Sequence, residues 1–193
     1  MPPGLPLLPD STTGRLSLAE YHALLRSGQL SPADRLELLD GQLVPKMTIL
    51  PPHATAVENV RELLREALPT GWHVRSQQPI TLATSEPEPD VAVVRGHRHD
   101  YATRHPGAAE VALVVEVADS ALAVDRGLKA RLYAEAGIDI YWIVNLVDRQ
   151  IEVHTSPTAQ GYTQISLFSA TQSIPLLLDG VPLDTLAVHE VLP

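Results

Sequence analysis

The chain contains no cysteine. Without a thiol it can build neither a disulfide framework nor a thiolate metal site, so every metal ligand has to be carboxylate, imidazole or carbonyl oxygen. No stretch approaches the roughly 18 apolar residues that a membrane span requires. The opening segment, MPPGLPLLPDSTTG, has neither the positive n-region nor the apolar run of a signal peptide. The expected location is therefore the cytoplasm, with no membrane partner. Positive charge is also short: 14 Lys and Arg stand against 23 Asp and Glu, for a net charge of −9. That balance argues against a general nucleic-acid binder, because phosphate backbones are attracted by clustered basic side chains. Charges more than about 8 Å apart are largely screened, however, so a local patch can outweigh the total. One such patch is RGHRHDYATRH, where Arg95, Arg98 and Arg104 with His97, His99 and His105 face Asp100 alone. It is a candidate nucleic-acid contact or an ordinary solvated loop.

What is present is apolar material enough for one packed core, 45% of 193 residues. Residues 1–13 are rich in proline and small polar residues and read as a flexible arm, leaving 14–193 as a single domain. In SLAEYHALLRSG, Ser17 and Glu20 have the spacing of a capping box and Gly28 can end the helix. Asp40-Gly41 between two apolar runs predicts a hairpin, because both central residues of that turn need positive φ. After Pro51-Pro52, Val57, Val60, Leu64 and Leu68 recur at helical spacing. From residue 72 the period changes: WHVRSQQPITLAT reads as one or two strands, PDVAVV as another, and EVALVVEVA as a strand apolar enough to be central. A helix follows over SALAVDRGLKARLYAEAG, capped by Asp119 or Ser120 and stopped at Gly137. Strands then recur at IDIYWIVNL, RQIEVHTS and GYTQISLF, and the closing segment suggests a short hairpin or covering arm. The order predicts an α/β fold, a mixed central sheet flanked by helices, with an N-terminal β-hairpin.

Glu116 is the most informative residue. It sits among Val and Ala in VALVVEVA, where an ionised carboxylate costs several kcal/mol unless it is paired or binds a cation. Asp90 follows Pro89, which cannot donate to a strand ladder, so Asp90 is placed at a strand opening. Two carboxylates at the ends of neighbouring strands repel unless a cation sits between them. Hard oxygen ligands of that kind suit Mg²⁺, or Mn²⁺, which needs only one or two carboxylates. Lys129 lies one helical turn beyond Asp125, a spacing that fits an ordinary surface ion pair worth a few tenths of a kcal/mol.

Taken in order, PD (89–90), EVADS (116–120), K...YAEAGI (129–138) and YWIV (141–144), with RLELLDGQLV and PPH before them, resemble the Uma-two family of restriction endonucleases. That family lies within the PD-(D/E)XK nuclease superfamily. The resemblance spans roughly residues 15–190. It implies a restriction-endonuclease-like core, with Asp90 and Glu116 as metal ligands and the carbonyl of Val117 as a third. The superfamily's usual lysine position, two residues after the glutamate, is Ala118 here. The family is similar in supplying the lysine from the following helix, and Lys129 matches it. Glu37 matches an early glutamate, which either approaches the site or is an ordinary hairpin residue. His53 matches an early histidine, for which a structural role is the simpler expectation. Gln77 or Gln78 either faces the site or belongs to a solvated pair. Asn145 departs from the aspartate that often ends YWIV. Tyr141 and Trp142 point to opposite faces of their strand, so at most one faces a groove, and Trp142 is expected in the core.

The function that follows is Mg²⁺-dependent hydrolysis of nucleic-acid phosphodiesters, with DNA the expected substrate and a homodimer the expected assembly. Two alternatives stand beside it. One is a nuclease-like fold that binds nucleic acid or a protein without cutting, which the acidic balance and low aromatic content favour. The other is a hydrolase acting on a small phosphate ester or nucleotide.

Overall fold

Local signals in the sequence set the first elements. Helix α1 (Leu18–Ser27) starts from Ser17, whose hydroxyl accepts the Glu20 N–H while the Glu20 carboxylate accepts the Ser17 N–H at 2.7 Å. It ends at Gly28 in the left-handed region. Strands β1 (Leu36–Leu39) and β2 (Gln42–Pro45) form the expected hairpin, with Asp40 and Gly41 at φ 49° and 74°. Glycine is needed at 41 for a second reason: a Cβ there would lie 2.8 Å from the Arg15 Cβ. The computed structural model describes residues 14–193, so the arm expected at 1–13 lies outside the described residues.

Helix α2 (Pro51–Ala67) buries Ala56, Val57, Val60 and Leu64. Leu68, the last residue of the expected stripe, is extended and caps the helix instead. The central sheet has six strands in the order β3-β4-β5-β6-β7-β8: Trp72–Ser76, Val91–Arg95, Val111–Ala118, Ile140–Asn145, Gln150–Thr158 and Gly161–Ser169. All neighbours are antiparallel except β5 and β6. Only the first part of WHVRSQQPITLAT is strand, because Gln77 takes φ 50° and turns the chain out of β3.

The parallel β5–β6 pair demands a crossover, and the chain supplies a helix. It runs as α3 (Leu122–Val124), a π-helical turn (Asp125–Lys129) and α4 (Ala130–Glu135). The sequence predicted one uniform helix capped by Asp119 or Ser120. The observed N-cap is Ala121, with no side-chain bond, and the π-turn interrupts the helix. Gly137, at φ 76°, ends it as expected.

The sheet divides the interior. On one face Val91, Val93, Val115, Val117 and Trp142 pack against α2, the hairpin β9–β10 (Ser173–Leu178, Val181–Ala187) and α5 (Val188–Val191). On the other, Ala92, Val114, Ala118, Tyr141 and Ile143 pack against Ala130, Leu132 and Tyr133 of α4. Each fully buried Val or Leu side chain contributes about 1.5–3 kcal/mol, so both faces hold the sheet firmly. A third cluster, Leu16, Tyr21, Leu24, Leu30 and Leu38, joins α1 to the N-terminal hairpin. Among the described residues no helix is long and apolar enough to cross a membrane.

Candidate active site

Because β4 and β5 are antiparallel, the start of β4 and the end of β5 lie side by side. Asp90 immediately precedes β4, and its Oδ2 accepts the Val117 N–H at 2.8 Å. Glu116 alternates with Val114 and Ala118, so it faces the α4 side of the sheet with 3% of its surface exposed. Its Oε1 accepts a 2.6 Å hydrogen bond from the Tyr133 hydroxyl and lies 3.0 Å from the Lys129 Nζ. Lys129 Nζ is also 3.6 Å from Glu37 Oε1 and 3.9 Å from Asp125 Oδ1. Glu37 is fixed from β1 through its other oxygen, which accepts the Glu88 N–H. His53, in the first turn of α2, places Nε2 3.1 Å from Asp90 Oδ2, and its buried Nδ1 has no partner among the described residues. All of these except Tyr133, which lies behind Glu116, line one cleft of about 620 Å³.

The charges in this cleft do not balance. Glu37, Glu116 and Asp125 approach the Lys129 ammonium, and the lining as a whole holds Glu37, Glu86, Glu88, Asp90, Glu116, Asp119 and Asp125 against Lys129, Lys46 and Arg35. Burial pushes the Glu116 carboxyl up to about 8; Lys129 pulls it down, while Asp90, Asp125 and Glu37 push it further up. Burial likewise raises Asp125 to about 6, with Lys129 opposing and Asp90 and Glu37 adding to the rise. Burial alone would lower Lys129, but Glu116, Glu37 and Asp125 outweigh it and hold the ammonium above the ordinary lysine range. The hydrogen bond to Asp90 raises His53.

The donor set can be tested against a divalent cation. Among the described residues no three His, Asp or Glu side chains form a ready-made metal cage. Mg²⁺ does not require one, since it keeps several waters and takes one or two carboxylates. Asp90 and Glu116 each commit one oxygen to the protein, Oδ2 and Oε1, while Oδ1 and Oε2 accept no hydrogen bond among the described residues. Two uncommitted oxygens on adjacent strands, in a cleft with excess negative charge, fit such an ion.

The structure thus brings Asp90, Glu116, Lys129 and Glu37 together, and Val117 lines the same cleft. The arginines are elsewhere. Arg95 closes the opposite end of β4 from Asp90, where it pairs with Asp179 at 2.6 Å and lies over the Trp72 ring. Arg104 is held by both oxygens of Glu110. Arg98 lies between them in an exposed 3₁₀ turn (Arg98–Tyr101) and forms no ion pair among the described residues. Gln77 lines the cleft and Trp142 is buried in the core.

Three residues carry more of the site than the sequence suggested. Asp125 was legible only as half of a surface pair, yet it is 3% exposed and faces the carboxylates. Tyr133 was legible only as part of the YAEAGI motif, with nothing to place its hydroxyl on Glu116. His53 lies against Asp90, a contact that its expected structural role did not name.

Comparison with known proteins adds family and fold. A family model described as "Uma2: Putative restriction endonuclease" matches residues 18–187. No curated protein matches the chain. Among solved structures, "a putative nuclease belonging to DUF820" from Anabaena variabilis ATCC 29413 superposes with a TM-score of 0.67 at 12% identity. The match covers 91% of this chain and 97% of that one, and at this identity it speaks for the fold alone.

Proposed function

The chain belongs to the Uma2 restriction endonuclease family, and from that premise we propose that the cleft hydrolyses phosphodiester bonds of nucleic acid, DNA above all, with Mg²⁺ or Mn²⁺. Asp90 Oδ1, Glu116 Oε2 and the carbonyl of Val117 would hold the ion. Bound there, the ion supplies Lewis-acid polarisation of a phosphoryl oxygen and a more acidic water. The observation that carries this reading is that each of the two carboxylates has one oxygen anchored in the protein and one uncommitted, beside a buried ammonium.

The chain's own groups do the rest. Tyr133 and Lys129 fix the rotamer of Glu116, and the Val117 N–H with His53 fixes that of Asp90. Lys129, already oriented and excluded from bulk water, presents positive charge to the phosphate as negative charge builds up on it, which is where a fixed charge lowers a barrier. Glu37 holds Lys129 from the hairpin side. Of Arg95, Arg98 and Arg104, Arg98 belongs to the same reading as a contact for a more distant phosphate, since Asp179 and Glu110 already engage the other two, and a homodimer would bring two clefts to two strands.

The test is calorimetric titration with Mn²⁺ beside a cleavage assay on DNA, on RNA and on free nucleotides. Asp90→Ala and Glu116→Ala are expected to abolish binding and cleavage together. Cleavage that survives Asp90→Ala in a clean preparation sinks the proposal.

A further inference from the structure

Of the ten large apolar side chains left exposed among the described residues, Leu25, Met47, Ile49, Leu50 and Val124 all line this one cleft. Met47 is 55% exposed. Exposed apolar side chains gathered in a concavity mark a binding surface, whereas scattered ones need no explanation. Three of the five come from the irregular segment 46–50, which joins β2 to α2. That segment runs directly into the helical turn carrying His53. The Arg35 guanidinium fastens it by donating to the Met47 carbonyl at 2.9 Å, and Lys46 pairs with Glu88 at 2.5 Å. The apolar wall is therefore held in place beside the charged site.

The cleft combines two kinds of lining within about 620 Å³: the charged group of Lys129, His53 and the carboxylates, and the exposed aliphatic side chains. Leu50 and Val124 directly adjoin the site in sequence, before the helix of His53 and before Asp125. An occupant suited to both carries a phosphate ester and an apolar face. A volume of this size suits one small-molecule-sized group. The aliphatic side chains can meet the face of a base only where that face is not covered by stacking.

Building on the reading of this cleft as a phosphodiesterase site, we infer that it takes a single unstacked nucleotide. The base lies against Leu25, Met47, Ile49, Leu50 and Val124, and the phosphodiester reaches Lys129. The substrate class is single-stranded nucleic acid, or a duplex with an unpaired nucleotide at the cut. Extruding a paired base costs a few kcal/mol, whereas an unpaired base enters without that cost.

The experiment is fluorescence anisotropy of labelled oligonucleotides with Ca²⁺ in place of Mg²⁺, comparing a single strand, a fully paired duplex, and that duplex with one central unpaired nucleotide. The single strand and the interrupted duplex are expected to bind roughly ten-fold or more tighter than the paired duplex. Met47→Ser with Ile49→Ser removes that preference while leaving Mn²⁺ binding by calorimetry unchanged. Met47→Ser alone, at an exposed position, gives a smaller loss in the same direction and is decisive where the double variant melts early. Ile165→Ser, on the exposed face of β8 away from the cleft, leaves the preference intact. Equal affinity for paired duplex, or a preference that survives Met47→Ser with Ile49→Ser, overturns the inference. Cleavage of paired DNA without any preference overturns it and leaves the nuclease reading standing. Preference without cleavage does the reverse, and binding of no oligonucleotide overturns both.

Discussion

Lys129 Nζ lies 3.0 Å from Glu116 Oε1, joining the crossover helix to the central strand by a charge pair in which both side chains are almost wholly buried. Such a pair is poor evidence of stability, because removing two ions from water costs about as much as their attraction returns. It is better evidence of a site, since it fixes a carboxylate and an ammonium where neither can wander.

Lys129→Met keeps much of the side-chain volume and removes the charge. Cleavage is expected to fall by at least about 100-fold, the range of a lost transition-state charge contact. Stability falls by less than the roughly 3–5 kcal/mol of an uncompensated buried ion, because Glu116 then takes up a proton. Single-turnover kinetics and urea denaturation measure the two effects separately. Wild-type turnover in this variant excludes Lys129 from the chemistry.

Tyr133→Phe tests whether orientation of Glu116 matters. Loss of an outer partner of a metal ligand lowers metal affinity about 10–100-fold, against about 1 kcal/mol of stability for the lost hydrogen bond. Tyr141→Phe is the contrast, since that hydroxyl donates to the backbone carbonyl of Asp125 rather than to a carboxylate. Equal Mn²⁺ affinities in the two variants count against the role given to Tyr133.

Replacing Arg95, Arg98 and Arg104 together is expected to change the salt dependence of DNA affinity by about one phosphate contact, not three. Asp179 and Glu110 already neutralise two of them. The slope of log affinity against log salt reads the number, and no change at all removes the loop from the interface.

Acid stability has a local contributor at Glu110. Its hydrogen bonds with Arg104, aided by the Gly107 N–H, hold the carboxyl down at about 2 against the pull of partial burial. A depressed folded value stabilises the fold in full above the ordinary glutamate range, and the contribution is lost as pH falls from there toward about 2. Arg104 is exposed, so solvent screening keeps the effect small. Glu110→Gln should flatten that part of the acid-unfolding curve, followed by circular dichroism; an unaltered curve shows the pair contributes nothing.

The elements most legible in the sequence are those whose signal is local. Ser17 with Glu20, Asp40 with Gly41, and Gly137 each determine their own backbone within a few residues, and each behaves as its chemistry requires. Glu116 was legible for a different reason: its neighbours left no solvent for it. Asp125 was not, because a four-residue spacing to Lys129 looks the same on a solvated face as on one folded against a sheet. The tertiary approach of α4 decides between them, and no local pattern encodes it. The apolar wall at Met47, Ile49 and Leu50 was missed because a short run after a strand carries no period.

The π-turn at Asp125–Lys129 makes this site depend on counting. In an ordinary helix each four-residue step overshoots a full turn by about 40°, so Asp125, Lys129 and Tyr133 would drift round the axis. The wider turn takes up that overshoot and keeps all three against the sheet. Substitution within the turn leaves such an alignment in place, but a change of length does not: deleting Gly127 alone would return the segment to regular winding with Asp125 three residues from Lys129, about 60° from its place. The spacing of this segment is thus a property of the chain as consequential as any of its side chains.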